Sequence, residues 1–359
     1  MIRRRIAEEG VASSCYFRTS AVAPGRKALV QITERCNLHC AHCFVSSGRE
    51  GADISLAQFR DDVLPQLREA RVGRVTLTGG EPFAHADLLP IVAATRDAGM
   101  TVTICTNATL VDDAAIDELA ARGGTRFNVS LDGFAAASHG KFRGAPASFA
   151  VTKDTIRRLG ERGLLKGLLA TPNSLAEARE YEELCAFARA CGAEYVLMNP
   201  LASMGRGVRG KRRLSVTEAS LDDLRRRTER FAGADLDVVH IRFPNQEAPL
   251  AACEAGTIVY VFATGEVTVC PYLVFAARTP QSLHAADEFI VGNVFEHADI
   301  AARLDAYRLH DRAVVTADAT CGACAMADRC GRGCPAAVIA AGGRLGERDR
   351  EQCPVPDAA

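Results

Sequence analysis

The sequence predicts an α/β fold, an open, partial (β/α)6 barrel followed by a C-terminal cysteine-rich domain. Three observations predict it. Between residue 28 and about residue 235, short β-forming runs alternate with helical stretches. Glycine repeatedly closes the helix ahead of the next strand. Seven of the 14 cysteines gather at two places, three in a short loop after the first strand and four near the C-terminus.

The strand runs are 28–33, 74–78, 100–105, 126–131, 165–170 and 194–198, each short and β-forming. Between them lie 56–70, 88–98, 112–121, 148–162 and 175–190, whose apolar positions recur at three and four as an outer helix requires. Gly73, Gly99, Gly123, Gly163 and Gly192 read as helix C-caps. Short loops between the units imply a mainly parallel sheet with right-handed crossovers. Six units rather than eight imply a barrel left open, and a doubly wound sheet is the alternative. A lead-in, 1–27, holds a turn of helix over 5–11 and an isolated Cys15 that reads as a buried thiol or a distant metal ligand. The barrel spans 28–235 and the cysteine-rich domain 236–359. Residues 201–213, rich in glycine and arginine, read as a basic loop over the barrel mouth. Residues 217–231 read as a charged helix with an edge at Leu221 and Leu224. Runs 257–264 and 267–270 around Thr264-Gly265 read as a hairpin.

A net charge of −1 over 359 residues argues against nucleic-acid binding. No apolar run is long enough for a membrane span. The N-terminus is basic but lacks the apolar core of a secretory signal. A long, leaderless chain with clustered thiols points to metal ligands in a reducing cytoplasm rather than to disulfides.

Barrel chemistry gathers at the C-terminal ends of the strands. Cys36, Cys40 and Cys43, spaced C-x3-C-x2-C, follow the first strand. Three thiolates on one loop can hold three irons of a [4Fe-4S] cube and leave the fourth open to an exchangeable ligand. Gly79-Gly80-Glu81-Pro82 follows the second strand, and its glycines allow a ligand to reach the backbone. Asn107 follows the third strand. Ser130 and Asp132 end the fourth. Cys105 shares the strand parity of Asn107 and reads as a quiet core thiol or a cavity residue. In the C-terminal domain Cys321-x2-Cys324 alone would suit zinc.

The three-cysteine loop followed by Gly79-Gly80-Glu81-Pro82 resembles the signature of the radical S-adenosylmethionine (radical SAM) enzymes. The order Cys253, Gly265-x4-Cys270, Cys321-x2-Cys324-x5-Cys330-x3-Cys334 and Cys353 resembles their SPASM extension. Together the motifs cover nearly the whole chain and imply a TIM-like partial barrel with a SPASM domain. The resemblance implies that Cys36, Cys40 and Cys43 hold a [4Fe-4S] cluster whose open iron binds the methionyl amine and carboxylate of SAM. The turn Gly79-Gly80-Glu81-Pro82 would receive the methionyl amine, with Glu81 helping to fix that loop. Asn107, Ser130 and Asp132 would lie near the methionyl and ribose groups, with Arg143 as a carboxylate-binding arginine. Phe44 would border the adenine, unless it only packs. Arg206, in a Gly-Arg-Gly turn, would meet a SAM or substrate carboxylate.

Two auxiliary [4Fe-4S] clusters are implied in the same way. The first takes Cys253, Cys270 and Cys334. The second takes Cys321, Cys324, Cys330 and Cys353. The first is one ligand short, since residues 254–269 contain no cysteine. Cys15, a non-cysteine side chain, water or substrate are the alternatives for the fourth place.

The implied activity is reductive cleavage of SAM to a 5′-deoxyadenosyl radical that removes hydrogen from a substrate carbon. The implied substrate is a ribosomally made peptide, oxidised or crosslinked, with a small molecule or a tetrapyrrole side chain as the alternative. Pro271 and Tyr272 follow Cys270 where sulfatase-activating relatives carry an aspartate, which argues against that substrate. Tyr272 is a candidate for proton transfer, or a packing aromatic. A reductant such as flavodoxin or ferredoxin is implied. Only 27 residues precede the first strand, so leader-peptide binding is expected to use a small recognition protein or a shallow surface.

Overall fold

A computed structural model describes residues 10–16, 21, 24–245, 247–312 and 319–355. The helical turn expected over 5–11 falls largely outside them. The six expected strands are present as β1 (Arg26–Thr33), β2 (Val72–Gly79), β3 (Thr101–Thr106), β4 (Thr125–Ser130), β5 (Leu165–Ala170) and β6 (Tyr195–Met198). The first helix is α1 (Leu56–Gln58), which runs through a π turn (Phe59–Val63) into α2 (Leu64–Glu69). Between later strands stand α3 (Leu88–Asp97), α4 (Asp113–Arg122), α5 (Ser148–Glu161) and α6 (Ala178–Ala190).

The chain continues as α7 (Gly207–Leu214), α8 (Glu218–Glu229) and β7 (Asp237–His240). The cysteine-rich part holds β8 (Ile258–Val261), β9 (Glu266–Thr268), α9 (Pro271–Ala277), β10 (Ile290–Asn293), α10 (Ile300–Ala306), α11 (Leu309–Arg312), α12 (Ala319–Gly322) and α13 (Pro335–Ala340). Among the described residues no helix is long and apolar enough to cross a membrane.

The strands form one sheet in the order β10-β9-β8-β1-β2-β3-β4-β5-β6-β7. From β8 through β1 to β7 every pairing is parallel, while β9 pairs antiparallel with β8 and with β10. The order β1 to β7 never reverses. A doubly wound sheet reverses at a switch point, so the sheet is the barrel type. The parallel run is longer than the six strands expected. β7 extends one end and β8 adds to the other, so the hairpin of the cysteine-rich part is continuous with the barrel sheet.

One parity of the barrel strands is apolar and fully buried, including Val30, Ile32, Val75, Leu77, Ile104, Phe127, Val129 and Leu168. The helices present Ile91, Leu119, Ile156 and Leu184, equally buried, to the same core. The other parity is mixed, with Gln31, Thr76, Thr103, Cys105 and Asn128 beside Leu29, Leu169 and Leu197. The Tyr195 hydroxyl donates to Asn128 Oδ1 at 2.6 Å, and Asn128 Nδ2 lies 3.8 Å from Cys105 Sγ. Cys105 therefore belongs to the interior of the barrel, where burial pushes its thiol up.

Two local expectations are corrected. Gly73 is not a helix cap. It lies inside β2, and Arg71 takes the left-handed position (φ 58°), held by Asp305 at 3.0 Å and by the Pro24 carbonyl at 3.2 Å. Gly99, Gly123, Gly163 and Gly192 all have positive φ, as caps require. The stretch read as a loop over 201–213 becomes helical from Gly207. Its glycines are there for close approach rather than as breakers. A Cβ on Gly207 would stand 2.3 Å from the Ala202 carbonyl, and one on Gly210 3.1 Å from the Ala41 carbonyl in the cysteine loop.

Candidate functional site

The loop after β1 carries Cys36, Cys40 and Cys43, and its shape is imposed from three sides. At its root Arg35 pairs with Asp53, and the Cys36 amide donates to the Gly48 carbonyl at 2.5 Å. On one flank the Ala41 amide donates to the Phe142 carbonyl at 3.1 Å. On the other, Arg206 Nε and Nη1 donate to the carbonyls of Cys40 (2.8 Å) and Ser47 (2.7 Å), and its amide donates to the Cys43 carbonyl at 2.9 Å. Arg206 was expected to face a carboxylate. The structure turns its guanidinium onto backbone oxygens of the cysteine loop, because the turn at Gly205 brings the chain against Cys43 and Phe44.

Gly79 and Gly80 are packed against this root. A Cβ on Gly79 would lie 2.4 Å from the Thr33 carbonyl, and one on Gly80 2.2 Å from the Arg35 carbonyl. Their absence lets the Gly80 amide donate to Thr33 (2.9 Å) and the Glu81 amide to Arg35 (2.8 Å). Glu81 is buried. Its carboxylate accepts from the Thr106 hydroxyl (2.5 Å), the Asn107 amide (2.8 Å) and the Phe83 amide (3.2 Å). The last of these caps the short 3-10 turn that Pro82 begins. Burial raises the Glu81 carboxyl in spite of these donors. Asn107 reaches back to the cysteine loop, its Nδ2 donating to Asn37 Oδ1 at 3.0 Å, while Asn37 Nδ2 donates to Thr109 at 2.8 Å.

Asp132 is the hub of the next strand end. Its Oδ2 accepts from Arg143 Nε at 2.7 Å and its Oδ1 from the Thr171 amide at 2.8 Å. Burial alone would raise its carboxyl, but Arg143, with help from His42, His139 and the Thr171 amide, holds it below the usual range. Arg143 Nη1 also points to Cys40 Sγ at 3.9 Å. Arg143 thus joins the second barrel half to the cysteine loop through a carboxylate of the chain itself. Ser130 stands half-buried at the last position of β4, beside Leu169 of β5.

His42, inside the cysteine loop, stacks on Phe142 with centroids 4.4 Å apart and lies 3.9 Å from Asp132. Burial pushes its imidazole down to about 4, so it is neutral. Its Nδ1 is buried with no hydrogen-bond partner among the described residues. The sequence reading placed Thr106 at the third strand end but missed Asn37, His42 and His139, whose Nδ1 accepts the Asp132 amide at 3.0 Å. Only the position of Asn37 and His42 within the cysteine loop offered a signal.

The C-terminal cysteines form two groups. Cys321, Cys324, Cys330 and Cys353 line one cavity with Met326, Arg332 and Arg348. Three donors point at its sulfurs: the Met326 amide at Cys324 (3.4 Å), the Arg332 amide at Cys330 (3.4 Å) and Arg348 Nη1 at Cys353 (3.6 Å). Cys253, Cys270 and Cys334 lie close enough to feel each other's charge. Between this group and the cysteine loop runs an aromatic bridge. Phe44 packs on Tyr272 (5.4 Å) and Phe275 (5.2 Å), and Tyr272 stacks on Tyr16 (5.2 Å). Burial pushes the Tyr272 phenol far above its ordinary value, so it stays protonated. Phe44 is in ring contact with the cysteine-rich part, whatever else it touches.

The grouped cysteines, with donors aimed at their sulfurs, fit iron–sulfur clusters. Among the described residues no three His, Cys, Asp or Glu side chains converge on one metal ion. A cube spreads its thiolates over separate corners, and donors aimed at sulfur suit the anionic ligands of such clusters. Burial pushes the Cys36 thiol up to about 11 and raises that of Cys40. Grouped buried thiols of this kind ionise when a cation is bound beside them.

Residues 30–187 match the family model of the radical SAM superfamily. The chain carries a radical SAM domain over that stretch. It is an enzyme of the radical SAM type, with a cysteine-rich C-terminal extension of the SPASM kind, and its family uses SAM and a [4Fe-4S] cluster. It is 27% identical to the mycofactocin maturase MftC of Mycobacterium ulcerans over 331 residues, 89% of this chain and 86% of that one. It is 33% identical to the AdoMet-dependent heme synthase of Methanosarcina barkeri over 126 residues, 34% of this chain and 35% of that protein. Its fold is similar to Streptococcus suis SuiB bound to S-adenosylmethionine, with a TM-score of 0.69 at 19% identity over 91% of this chain and 77% of that one.

Proposed function

We propose that this radical SAM enzyme oxidises or crosslinks a ribosomally made peptide, using one SAM-binding [4Fe-4S] cluster and two auxiliary ones. One observation carries the peptide reading. The similarity to mycofactocin maturase MftC runs through both the barrel and the cysteine-rich part, 89% of this chain. The similarity to AdoMet-dependent heme synthase, which favours a tetrapyrrole or small molecule, is confined to 34% of it. When bound, SAM and its cluster supply a one-electron cleavage that delivers a 5′-deoxyadenosyl radical for hydrogen abstraction.

The chain's own residues set the stage for that chemistry. Cys36, Cys40 and Cys43 hold the cluster. Arg206 and the Gly79-Gly80 turn fix the loop that carries them. Glu81 and Pro82 shape the turn that receives the methionyl amine. Asn107, Ser130, Asp132 and Arg143 line the strand ends where the rest of SAM lies, and Phe44 closes one side. Cys253, Cys270 and Cys334 form one auxiliary set, and Cys321, Cys324, Cys330 and Cys353 the other. Tyr272 packs between them and the barrel mouth. A flavodoxin or ferredoxin in the cytoplasm supplies the reducing electron, and a small recognition protein presents the peptide leader.

Anaerobic reconstitution is expected to load about twelve irons per chain. With dithionite the protein should convert SAM to 5′-deoxyadenosine. A Cys36→Ala/Cys40→Ala/Cys43→Ala variant should keep about eight irons and lose that activity. Deuterium carried from a labelled peptide into 5′-deoxyadenosine identifies the substrate class. Cleavage of SAM by the triple variant would overturn the cluster assignment. Deuterium transfer from a small molecule and none from peptides would favour the second reading.

A further inference from the structure

The first auxiliary set has three cysteines in its own domain, and the lead-in supplies a fourth nearby. Cys15 is 3% exposed, and its sulfur is wedged between the residues that precede two of the three. Cys15 Sγ lies 3.6 Å from the Ala252 carbonyl, next to Cys253, and 3.5 Å from the Gly333 carbonyl, next to Cys334. Its thiol also hydrogen-bonds the Cys334 side chain. Cys334 in turn is within electrostatic reach of Cys253 and Cys270. The four thiols come from positions up to 319 residues apart in a sequence of 359.

The placement of Cys15 is built by several elements. Ala12 pairs in parallel with Leu250, its amide donating to the Pro249 carbonyl at 2.9 Å and its carbonyl accepting from the Ala251 amide at 3.1 Å. Arg242, directly after β7, donates to the Ser14 carbonyl (2.7 Å) and to Asp349 (2.5 Å). Asp349 Oδ2 accepts the Cys334 amide at 3.1 Å. One buried ion pair therefore anchors the residue before Cys15 and the backbone of Cys334 together. The guanidinium also lies 4.7 Å from the Tyr16 ring centroid, which fixes the residue after Cys15.

We propose that Cys15 is the fourth cysteine ligand of the first auxiliary cluster, with Cys253, Cys270 and Cys334. The assignment rests on reading those three as a cluster set. It closes the cluster with four protein thiolates, so that no iron there is open to substrate. The first auxiliary cluster then serves electron transfer, and substrate is held by the barrel mouth alone.

The test uses the Cys36→Ala/Cys40→Ala/Cys43→Ala protein, which isolates the auxiliary clusters, with and without Cys15→Ala or Cys15→Ser. Iron content, Mössbauer and EPR spectra are recorded before and after cyanide. With Cys15 present, cyanide is expected to leave the spectra unchanged. With Cys15→Ala, one cluster should respond to cyanide, or lose about one iron of eight on mild oxidation. Cys15→Ser should shift the Mössbauer parameters of one iron site, as an oxygen ligand replaces sulfur. Identical spectra and cyanide response in all three proteins would overturn the proposal, as would a cyanide response while Cys15 is present. If the parent triple variant itself holds fewer than about eight irons, the two-cluster reading fails and takes this proposal with it. That failure is visible before Cys15 is touched.

Discussion

Replacing Gly80 by alanine tests how the glycine turn and the cysteine loop depend on each other. The added methyl would meet the Arg35 carbonyl oxygen at 2.2 Å, its carbon at 2.5 Å and the Glu34 oxygen at 2.8 Å. These are backbone atoms, so no side chain can swing aside. The root of the cysteine loop must move by about 1 Å to relieve the contact. Moving it stretches the Gly80 to Thr33 and Glu81 to Arg35 hydrogen bonds, now 2.9 and 2.8 Å. Each such bond is worth about 1 kcal/mol. Overpacking adds about 1–3 kcal/mol, so with both bonds lost the total is about 3–5 kcal/mol.

Cys36 follows Arg35 directly, and a shift of about 1 Å at a reacting centre costs on the order of 100-fold in rate. Gly73→Ala in β2, the strand that leads to this turn, is the control, because nothing lies within 4 Å of its Cβ and its effect should stay within about 0.5 kcal/mol. The assays are thermal unfolding, iron content and 5′-deoxyadenosine formation. A Gly80→Ala protein that matches Gly73→Ala in all three would refute the reasoning.

Three other perturbations follow from the same geometry. Asp132→Asn strips a guanidinium that is 9% exposed of its carboxylate partner, which is 1% exposed. It should lower stability by about 3–5 kcal/mol, read as a fall in the urea midpoint, and an unchanged midpoint would count against the pair. Arg206→Ala removes the clamp on the Cys40 and Ser47 carbonyls and should speed chelator bleaching of the SAM-binding cluster. Arg206→Lys should fail to restore it, since an ammonium lacks the planar fork, and a wild-type bleaching rate in either variant would contradict the clamp. His240 is held down to about 4 by burial, with Arg225 adding to the effect. The unfolded chain takes up this proton near pH 6.5 and the folded chain does not. Its share of stability is therefore full above pH 6.5 and declines as pH falls toward about 4, by at most about 1.4 kcal/mol per pH unit. His240→Gln should flatten that slope in urea titrations at pH 7 and 5, and equal slopes would refute it.

Strand and helix positions were legible because local signals agreed with the global fold. β5 falls on the expected residues, and four of the five expected glycine caps have the backbone angle a cap needs. Gly73 failed as a cap because Arg71, held by Asp305 from a distant helix, takes the left-handed position. No local signal announces such a partner. α7 was hidden because its glycines look like breakers until the packed cysteine loop is in view. β7 was missed as a four-residue run whose partner, β6, lies beyond two helices. At the site, the chemistry-bearing residue types were visible from spacing. Who touches whom was not. Arg143 meets Asp132 and Arg206 meets backbone carbonyls, and both partners are set by how strand ends converge.

The pairing of β8 with β1 has a mechanical meaning. β1 launches the loop of Cys36, while β8 leads through β9 to Cys270. Two sites of different chemistry therefore hang from adjacent rungs of one ladder, without a hinge between those strands. Their separation is set by strand spacing, so domain motion does not vary it. The same ladder makes residue 235 a poor place to cut. A fragment ending there would bare the β8-facing edge of β1, a row of unpaired amides and carbonyls that invites edge-to-edge aggregation.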